Sequence, residues 1–244
     1  MKVLAVETST DACSVALYIE GEVSERFTLT PKEHTRLILP MIDELMAEAG
    51  LRPQQLDAMA FSCGPGSFTG VRIATGVTQG IALGADLPVV PVSTLAAIAL
   101  GFFDHSALAH TANDNASISP VAYTAMDARM GEIFWGVYQQ TEEGLVTLLG
   151  DEAVTPASAI EFPTLTGVGV GSGWGVYAEV LQARLAGLVT QYEVDYLPRA
   201  SAIVRLGVRD FKAGLAVPVE QAMPVYLRDK VAQTEAERHA LKQV

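Results

Sequence analysis

The first half of the chain alternates between short apolar runs and polar turns, a pattern typical of consecutive β-strands. The first three runs lie at 3–9, 13–19 and 23–29. Between 31 and 49 the apolar residues recur three and four positions apart, which predicts an amphipathic helix. A capping box at 30–33 is expected to start this helix, Pro40 to kink it and Gly50 to end it.

A glycine-rich turn links the next strand to the next helix. The strand covers 58–62, and the turn reads Gly-Pro-Gly-Ser at 64–67. Ser67 and Thr69 are candidate caps for a helix that continues to Ala85. A further strand at 89–92 and a further helix at 94–103 follow.

Three glycines at spacing four form a stripe along this second helix. Gly76, Gly80 and Gly84 fall on one helical face. Each lowers the stability of the helix by roughly 1 kcal/mol relative to alanine. Such a stripe indicates that something approaches the helix backbone closely. Two partners remain open at this point: the protein's own core, or another molecule. Ala74, Thr78 and Ala82 are expected to extend the small-residue surface.

The second half repeats the topology of the first without repeating its residues. Three strands, a short helix capped at 155–156, another strand and a helix ending near Gly187 follow a polar stretch at 105–119. The predicted fold class is α/β with two lobes, each a mixed sheet flanked by helices, as in actin, Hsp70 and ribonuclease H-like proteins. The expected boundaries are 1–103, completed by 201–228, for the first lobe, 104–200 for the second, and 229–244 for a charged tail.

Composition narrows the range of functions. The formal net charge of −12 disfavours independent binding to nucleic acid, because phosphate contacts require Lys and Arg. The two cysteines, Cys13 and Cys63, have no metal-ligand spacing and are typical of a cytoplasmic protein. The start of the chain lacks the pattern of a secretory signal, and no apolar run is long enough to span a membrane.

The two-lobe architecture directs attention to nucleotide binding between the lobes. The carboxylates of Glu7, Asp11 and Asp127 lie at the two hairpins where this architecture holds Mg-phosphate, and Gly171 and Gly173 lie where adenosine would bind. The first hairpin reads Glu-Thr-Ser-Thr instead of the Asp and Gly of active nucleotide-binding relatives. We therefore expect weak or vestigial ATP or ADP binding at most. The turn at 64–67 is interpreted as a capped turn, because it lacks the Lys of a P-loop.

Several motifs, in a fixed order along nearly the whole chain, resemble the TsaB (YeaZ) family. They are the start Met-Lys-Val-Leu-Ala-Val-Glu-Thr-Ser-Thr10, the run Cys63-Gly-Pro-Gly-Ser-Phe-Thr-Gly-Val-Arg-Ile73, Pro91-Val-Ser-Thr-Leu95, Asp127-Ala-Arg-Met-Gly-Glu-Ile-Phe134 and Pro224-Val-Tyr-Leu-Arg228. The resemblance implies a subunit of the machinery that makes N6-threonylcarbamoyladenosine (t6A) at position 37 of tRNA. It also implies dimerisation with the catalytic paralogue TsaD through first-lobe helices, and association with the ATPase TsaE.

The same resemblance implies that this subunit has no catalytic residue, no metal site and no required cofactor. TsaD has a His-x-x-x-His pair on the helix that here begins Ser93-Thr-Leu-Ala-Ala-Ile98, without histidine. The expected partner face consists of Leu37, Met41, Leu45, Arg72, Gly76, Gly80 and Gly84. A homodimer of the isolated chain through this face remains open, as does a different class, a stand-alone phosphotransferase that uses the interlobe cleft. Contact with tRNA is expected only through the complex.

Overall fold

The computed structural model describes residues 1–105 and 120–228. Its first sheet has the strand order β3-β2-β1-β4-β5. The strands are β1 (Lys2–Glu7), β2 (Ala12–Ile19), β3 (Glu22–Leu29), β4 (Ala58–Gly64) and β5 (Val89–Ser93). The first three form an antiparallel meander, and β4 and β5 continue parallel to β1. The carboxyl ends of β1, β4 and β5 therefore meet at one edge.

The second half of the chain forms a second sheet, which also combines antiparallel and parallel strands. Its strands are β6 (Val121–Arg129), β7 (Glu132–Gln140), β8 (Val146–Leu148), β9 (Ala153–Pro156), β10 (Gly167–Val170) and β11 (Val189–Glu193). Their order is β11-β10-β6-β7-β8, and β9 pairs with β7. Strands β6 and β7 are antiparallel, whereas β10 lies parallel to β6 and β11. The predicted class of two mixed sheets is thus confirmed.

Helices cover both faces of the first sheet. In the described residues the α-helices are α1 (His34–Glu48), α2 (Phe68–Ala85), α3 (Thr94–His105), α4 (Ser172–Arg184) and α5 (Ala200–Lys212). One apolar cluster joins α1 and α2 to one face of the first sheet. A second cluster joins the other face to α3, α5 and residues of the second sheet. This second cluster therefore joins the two lobes, with α3 and α5 between the sheets.

The predicted elements differ from the structure in a few places. Helix α1 begins at His34, and its N-cap residue Glu33 makes no side-chain capping bond, so the predicted capping box is absent. Lys32 has a positive φ of 68°, which ends any helix started at position 31. The segment at 155–156 belongs to strand β9 and precedes a short 3-10 turn, where a helix was expected. Strand β11 was not predicted.

Other predictions hold or fall outside the described residues. Pro40 lies inside α1 and Ser67 caps α2, as expected. The predicted tail at 229–244 and most of the polar stretch at 105–119 lie outside the described residues. Among the helices of the described part, none has the length and apolar character needed to cross a bilayer.

Candidate functional site

The turn that leads from β4 into α2 is built for close contact with the first hairpin. The N–H of Ser67 donates to the carbonyl of Ser9 at 2.7 Å, and its hydroxyl accepts from the N–H of Gly70. A methyl group added at Gly66 would lie 2.6 Å from the carbonyl oxygen of Ser9, and one at Gly70 would overlap the carbonyl of Thr8. These glycines serve the packing of the chain on itself.

The stripe further along α2 has the opposite surroundings. Gly76, Gly80 and Gly84 are exposed, and a methyl group added to any of them would have no neighbour within 4 Å among residues 1–105 and 120–228. The helix packs on the sheet through its opposite side, which is formed by Val71, Ala74, Thr75, Thr78 and Ala82. The interpretation that the stripe packs against the core is therefore wrong. The expectation that Ala74, Thr78 and Ala82 extend the stripe is also wrong, because all three are buried.

The other residues predicted for the partner face differ in their exposure. Met41 and Leu45 are 8% and 1% exposed and belong to the core under α1, so they do not reach the predicted face. Their position follows from helical spacing, since they share one side with Ile38 and Ile42. Leu37 is half-buried, whereas Arg72 is exposed.

Two exposed apolar side chains of α2 were missed by the sequence reasoning. Phe68 is 49% exposed and Leu83 is 70% exposed. Phe68 continues the spacing of four through Arg72 to Gly76, which is the signal that reveals it. We call the surface formed by Phe68, Arg72, Gly76, Gly80, Leu83 and Gly84 the glycine face.

A late segment of the chain is held against the glycine face. We call residues 222–228 the strap. The Arg72 guanidinium carbon lies 3.6 Å from the centroid of the Phe68 ring, and its Nε donates to the Tyr226 hydroxyl at 2.9 Å. The N–H of Val225 donates to the carbonyl of Cys63 at 2.7 Å. The side chain of Gln79 donates to the carbonyl of Ala222 at 2.7 Å.

The strap ends at the second hairpin. Arg228 donates from Nε to Oε2 of Glu132 at 3.1 Å and forms an ion pair with the same oxygen. Its Nη2 also donates to the carbonyl of Arg129. The strap therefore links the carboxyl edge of the first sheet to the β6–β7 turn, the two features that flank the predicted nucleotide site.

Glu7, the first residue predicted to bind nucleotide, forms its hydrogen bonds within its own hairpin. Glu7 is fully buried, and its Oε1 accepts from the Ser9 N–H and, at 2.6 Å, from the Ser9 hydroxyl. Oε2 of Glu7 is buried and has no hydrogen-bond partner among residues 1–105 and 120–228. Burial raises the pKa of this carboxyl, because removal of water disfavours the charged form. Asp11, on the other side of the turn, is exposed.

The second group of predicted nucleotide residues is brought together. The N–H of Asp127 donates to the Ser172 hydroxyl at 3.1 Å, between Gly171 and Gly173. Methyl groups at Gly171 and Gly173 would lie 2.6 Å from the Ala125 carbonyl oxygen and 2.8 Å from its Cβ. The glycines thus let α4 begin close to β6. The Asp127 carboxylate pairs with Arg129 at 3.0 Å. Nucleotide binding stays a prediction.

Metal-binding groups were sought across residues 1–105 and 120–228. No group of three or more His, Cys, Asp or Glu side chains lies close enough there to hold a metal ion. Both cysteines are buried as free thiols, and burial raises their pKa, to about 11 for Cys13 and about 12 for Cys63.

Comparison with known proteins gives a consistent result. Residues 28–236 match the family model described as TsaD, tRNA N6-adenosine threonylcarbamoyltransferase. The chain is 40% identical over 236 residues to the tRNA threonylcarbamoyladenosine biosynthesis protein TsaB of Escherichia coli, covering 95% of this chain and 96% of the relative. The protein of the same name from Haemophilus influenzae is 35% identical, with 95% of each chain covered. The solved structure of YeaZ from Pseudomonas aeruginosa superposes with a TM-score of 0.82 at 38% identity, covering 93% of this chain and 99% of that one.

Proposed function

The chain belongs to the TsaB family of tRNA threonylcarbamoyladenosine biosynthesis proteins, and from this membership we propose that it is the non-catalytic subunit that pairs with a TsaD-type transferase. In this proposal the partner carries out the chemistry, the attack of the adenosine N6 amine on threonylcarbamoyl-adenylate. This subunit stabilises the partner in its active conformation.

The observation that carries the proposal is the exposed stripe of the glycine face. Glycine lowers helix stability, and no described residue of the chain packs against Gly76, Gly80 or Gly84 in return. A partner helix that approaches the α2 backbone closely would supply that packing. Two helices on each side, α1 and α2 here, would form a four-helix contact.

The surroundings of the stripe fit a protein partner. Phe68 and Leu83 offer exposed apolar area at its two ends, and Arg72 offers a guanidinium group already stacked on an aromatic ring. Aromatic and arginine side chains are enriched where interfaces gain most of their binding energy. A surface of small residues that is flanked by large apolar and arginine side chains is typical of a specific contact between two proteins.

The wider complex is part of the same proposal. The net charge of −12 leaves the tRNA phosphates to the basic surfaces of other subunits. A TsaE-type ATPase would join the TsaB–TsaD pair, and the complex would act in the bacterial cytoplasm, where tRNA is modified. The isolated chain would form a homodimer through the glycine face when TsaD is absent.

Reconstitution of the modification tests the proposal. Purified TsaD-type and TsaE-type proteins, the threonylcarbamoyl-adenylate synthase, ATP, threonine, bicarbonate and tRNA would be combined with and without this chain. The t6A formed would be measured by mass spectrometry of tRNA digests. We expect t6A only when the chain is present. Equal formation without it would reject the proposal. Turnover of ATP on a small substrate by the chain alone would favour the phosphotransferase alternative.

A further inference from the structure

A cavity of about 690 Å³ lies on the flank of the molecule, away from the glycine face. We call it the flank cavity. Residues 91–93 at the edge of the first sheet form one wall, and residues 146–148 of β8 form another. The end of α5 and the side chain of Leu215 complete it. Its volume lies in the range of small-molecule sites.

Glu152 lines this cavity together with Asp210, and the Glu152 carboxyl group has an unusual set of contacts. Oε1 of Glu152 accepts hydrogen bonds from both the Ser93 and the Tyr138 hydroxyls. The Ser93 hydroxyl oxygen also accepts from the N–H groups of Leu95 at 3.1 Å and Ala96 at 3.3 Å, at the start of α3. No described residue donates a hydrogen bond to Oε2 of Glu152. One carboxyl oxygen is thus fixed by the protein, and the other is available.

The charged side chains around Glu152 do not neutralise it. Arg209 donates from Nε to Oδ1 of Asp210 at 2.7 Å and from Nη1 to the carbonyl of Val146 at 2.7 Å. The cation in the cavity wall is therefore already paired with Asp210 and held in place. Within residues 1–105 and 120–228, Glu152 takes part in no ion pair.

Aliphatic side chains form much of the remaining wall. Val92 and Val146 are buried, whereas Leu148 is 37% exposed and Leu215 is 59% exposed at the cavity. Exposed apolar side chains beside one unneutralised carboxyl provide a binding site with an apolar part and an anionic end. The complementary ligand has a hydrocarbon chain and a cationic head.

We propose that the flank cavity binds a small primary aliphatic amine, whose ammonium group pairs with Oε2 of Glu152 while its hydrocarbon chain lies on Val146, Leu148 and Leu215. An ammonium group has three donors, and Thr141 and Thr147, which line the same cavity, offer hydroxyl acceptors. The site is independent of the proposed pairing with TsaD, so failure of one proposal leaves the other intact.

The pH dependence of binding follows from the surroundings of Glu152. Burial raises the pKa of its carboxyl, and hydrogen bonds from Ser93 and Tyr138 only partly oppose this. The other groups that face it are Tyr138 and Cys63, whose raised pKa values keep both uncharged, and the Arg209–Asp210 pair. Since an ammonium ion binds the ionised carboxylate, amine affinity should rise as the pH rises through the raised pKa of Glu152, as long as the pH stays below the pKa of the amine.

Calorimetric titration of the full chain with hexylamine tests this proposal, with hexan-1-ol as the uncharged control. We expect hexylamine to bind with a dissociation constant of about 1 mM or tighter, and hexanol to bind about tenfold more weakly. Glu152→Gln keeps the acceptor for Ser93 and Tyr138 but removes the charge, and it should weaken hexylamine about tenfold. Glu143→Gln, in an exposed turn, should change nothing.

A second variant separates loss of the site from loss of the fold. Ala213 is exposed at the end of α5 and lines the cavity, so Ala213→Leu should narrow it without disturbing the core. We expect this variant to keep the circular dichroism spectrum of the wild type and to bind hexylamine less tightly. Equal affinity for hexylamine and hexanol, or undiminished binding by both Glu152→Gln and Ala213→Leu, would overturn the proposal.

Discussion

Nε of Arg72 donates a hydrogen bond to the hydroxyl of Tyr226 at 2.9 Å, although 154 positions separate these residues in the chain. The two rings of Phe68 and Tyr226 lie 5.9 Å apart, and the Arg72 guanidinium group covers the Phe68 ring. This contact fixes the strap beside the glycine face. The strap, from the end of the described chain, therefore lies directly beside the surface proposed for the partner.

Replacement of Tyr226 by alanine should loosen the strap. The substitution removes the hydrogen bond to Arg72 and the contact with the Phe68 ring, each a modest but additive contribution. We expect the amide of Val225, which donates to Cys63, to exchange with deuterium about tenfold faster, as measured by hydrogen–deuterium exchange. Met223→Ala, at a 60% exposed position of the same strap, should leave this exchange rate unchanged. Equal rates in wild type and Tyr226→Ala would show that the contact does not hold the strap.

Two glycine-to-alanine substitutions should have opposite effects on stability. At Gly80 a methyl group meets no atom within 4 Å, so Gly80→Ala should raise the free energy of unfolding by about 0.5–1 kcal/mol through helix propensity. At Gly207, in α5, the methyl group would lie 2.6 Å from Cβ of Ala60, and the variant should lose about 1–3 kcal/mol. Urea denaturation measures both. Destabilisation by Gly80→Ala would mean that the stripe packs within the chain.

Truncation of Leu45 tests whether this side chain belongs to the core and not to the partner face. Leu45 is 1% exposed in the core under α1, so Leu45→Ala should lower the free energy of unfolding by about 2–5 kcal/mol. Leu37→Ala, at a half-buried position of the same helix, should cost distinctly less. A small effect of Leu45→Ala in urea denaturation would instead place this side chain on the surface.

The buried carboxyl of Glu7 should make stability depend on pH. The pKa of Glu7 is raised in the folded state. Its contribution to stability is therefore fully present below the pKa of the unfolded chain, about 4.3, and is lost as the pH rises through the pKa of the folded state. Glu7→Gln keeps an acceptor for Ser9 and cannot ionise. Relative to wild type, the Gln variant should therefore gain stability as the pH rises from about 4 through the folded pKa of Glu7.

Urea denaturation across this pH range checks the expectation for Glu7, with the exposed Glu22→Gln as the matched control for the loss of one negative charge. A difference between Glu7→Gln and wild type that matches the control at every pH would contradict a raised pKa in the folded state.

Much of the fold follows from local sequence. The three-strand meander and the serine cap of α2 are set by residues close together in the chain, and the structure has both. Pro40 lies inside α1, and the predicted kink there stays a prediction. Strand β9 was mistaken for a helix because Thr-Pro is a good helix start, whereas its extended form depends on pairing with β7. That pairing joins positions far apart in sequence, which no local pattern reveals.

The candidate site was predicted less completely than the fold. Spacing identifies Gly76, Gly80 and Gly84 as one face, but spacing alone does not tell which side of a helix faces the sheet. Met41 and Leu45 were therefore assigned to the surface although they are buried. The place of Tyr226 beside Arg72 was also beyond sequence reasoning, because it depends on the path of the strap across the fold.

The most direct test of the proposed function is sedimentation of this chain with its TsaD-type partner, using Gly80→Leu. The leucine side chain would fill the exposed stripe, and its Cβ would meet no atom within 4 Å in the described part of the chain. Ala183→Leu, on an exposed position of α4, is the matched control. We expect wild type and Ala183→Leu to form a heterodimer and support t6A synthesis, and Gly80→Leu to remain folded but fail at both. Unchanged pairing and unchanged t6A synthesis by Gly80→Leu would contradict a partner contact at the glycine face.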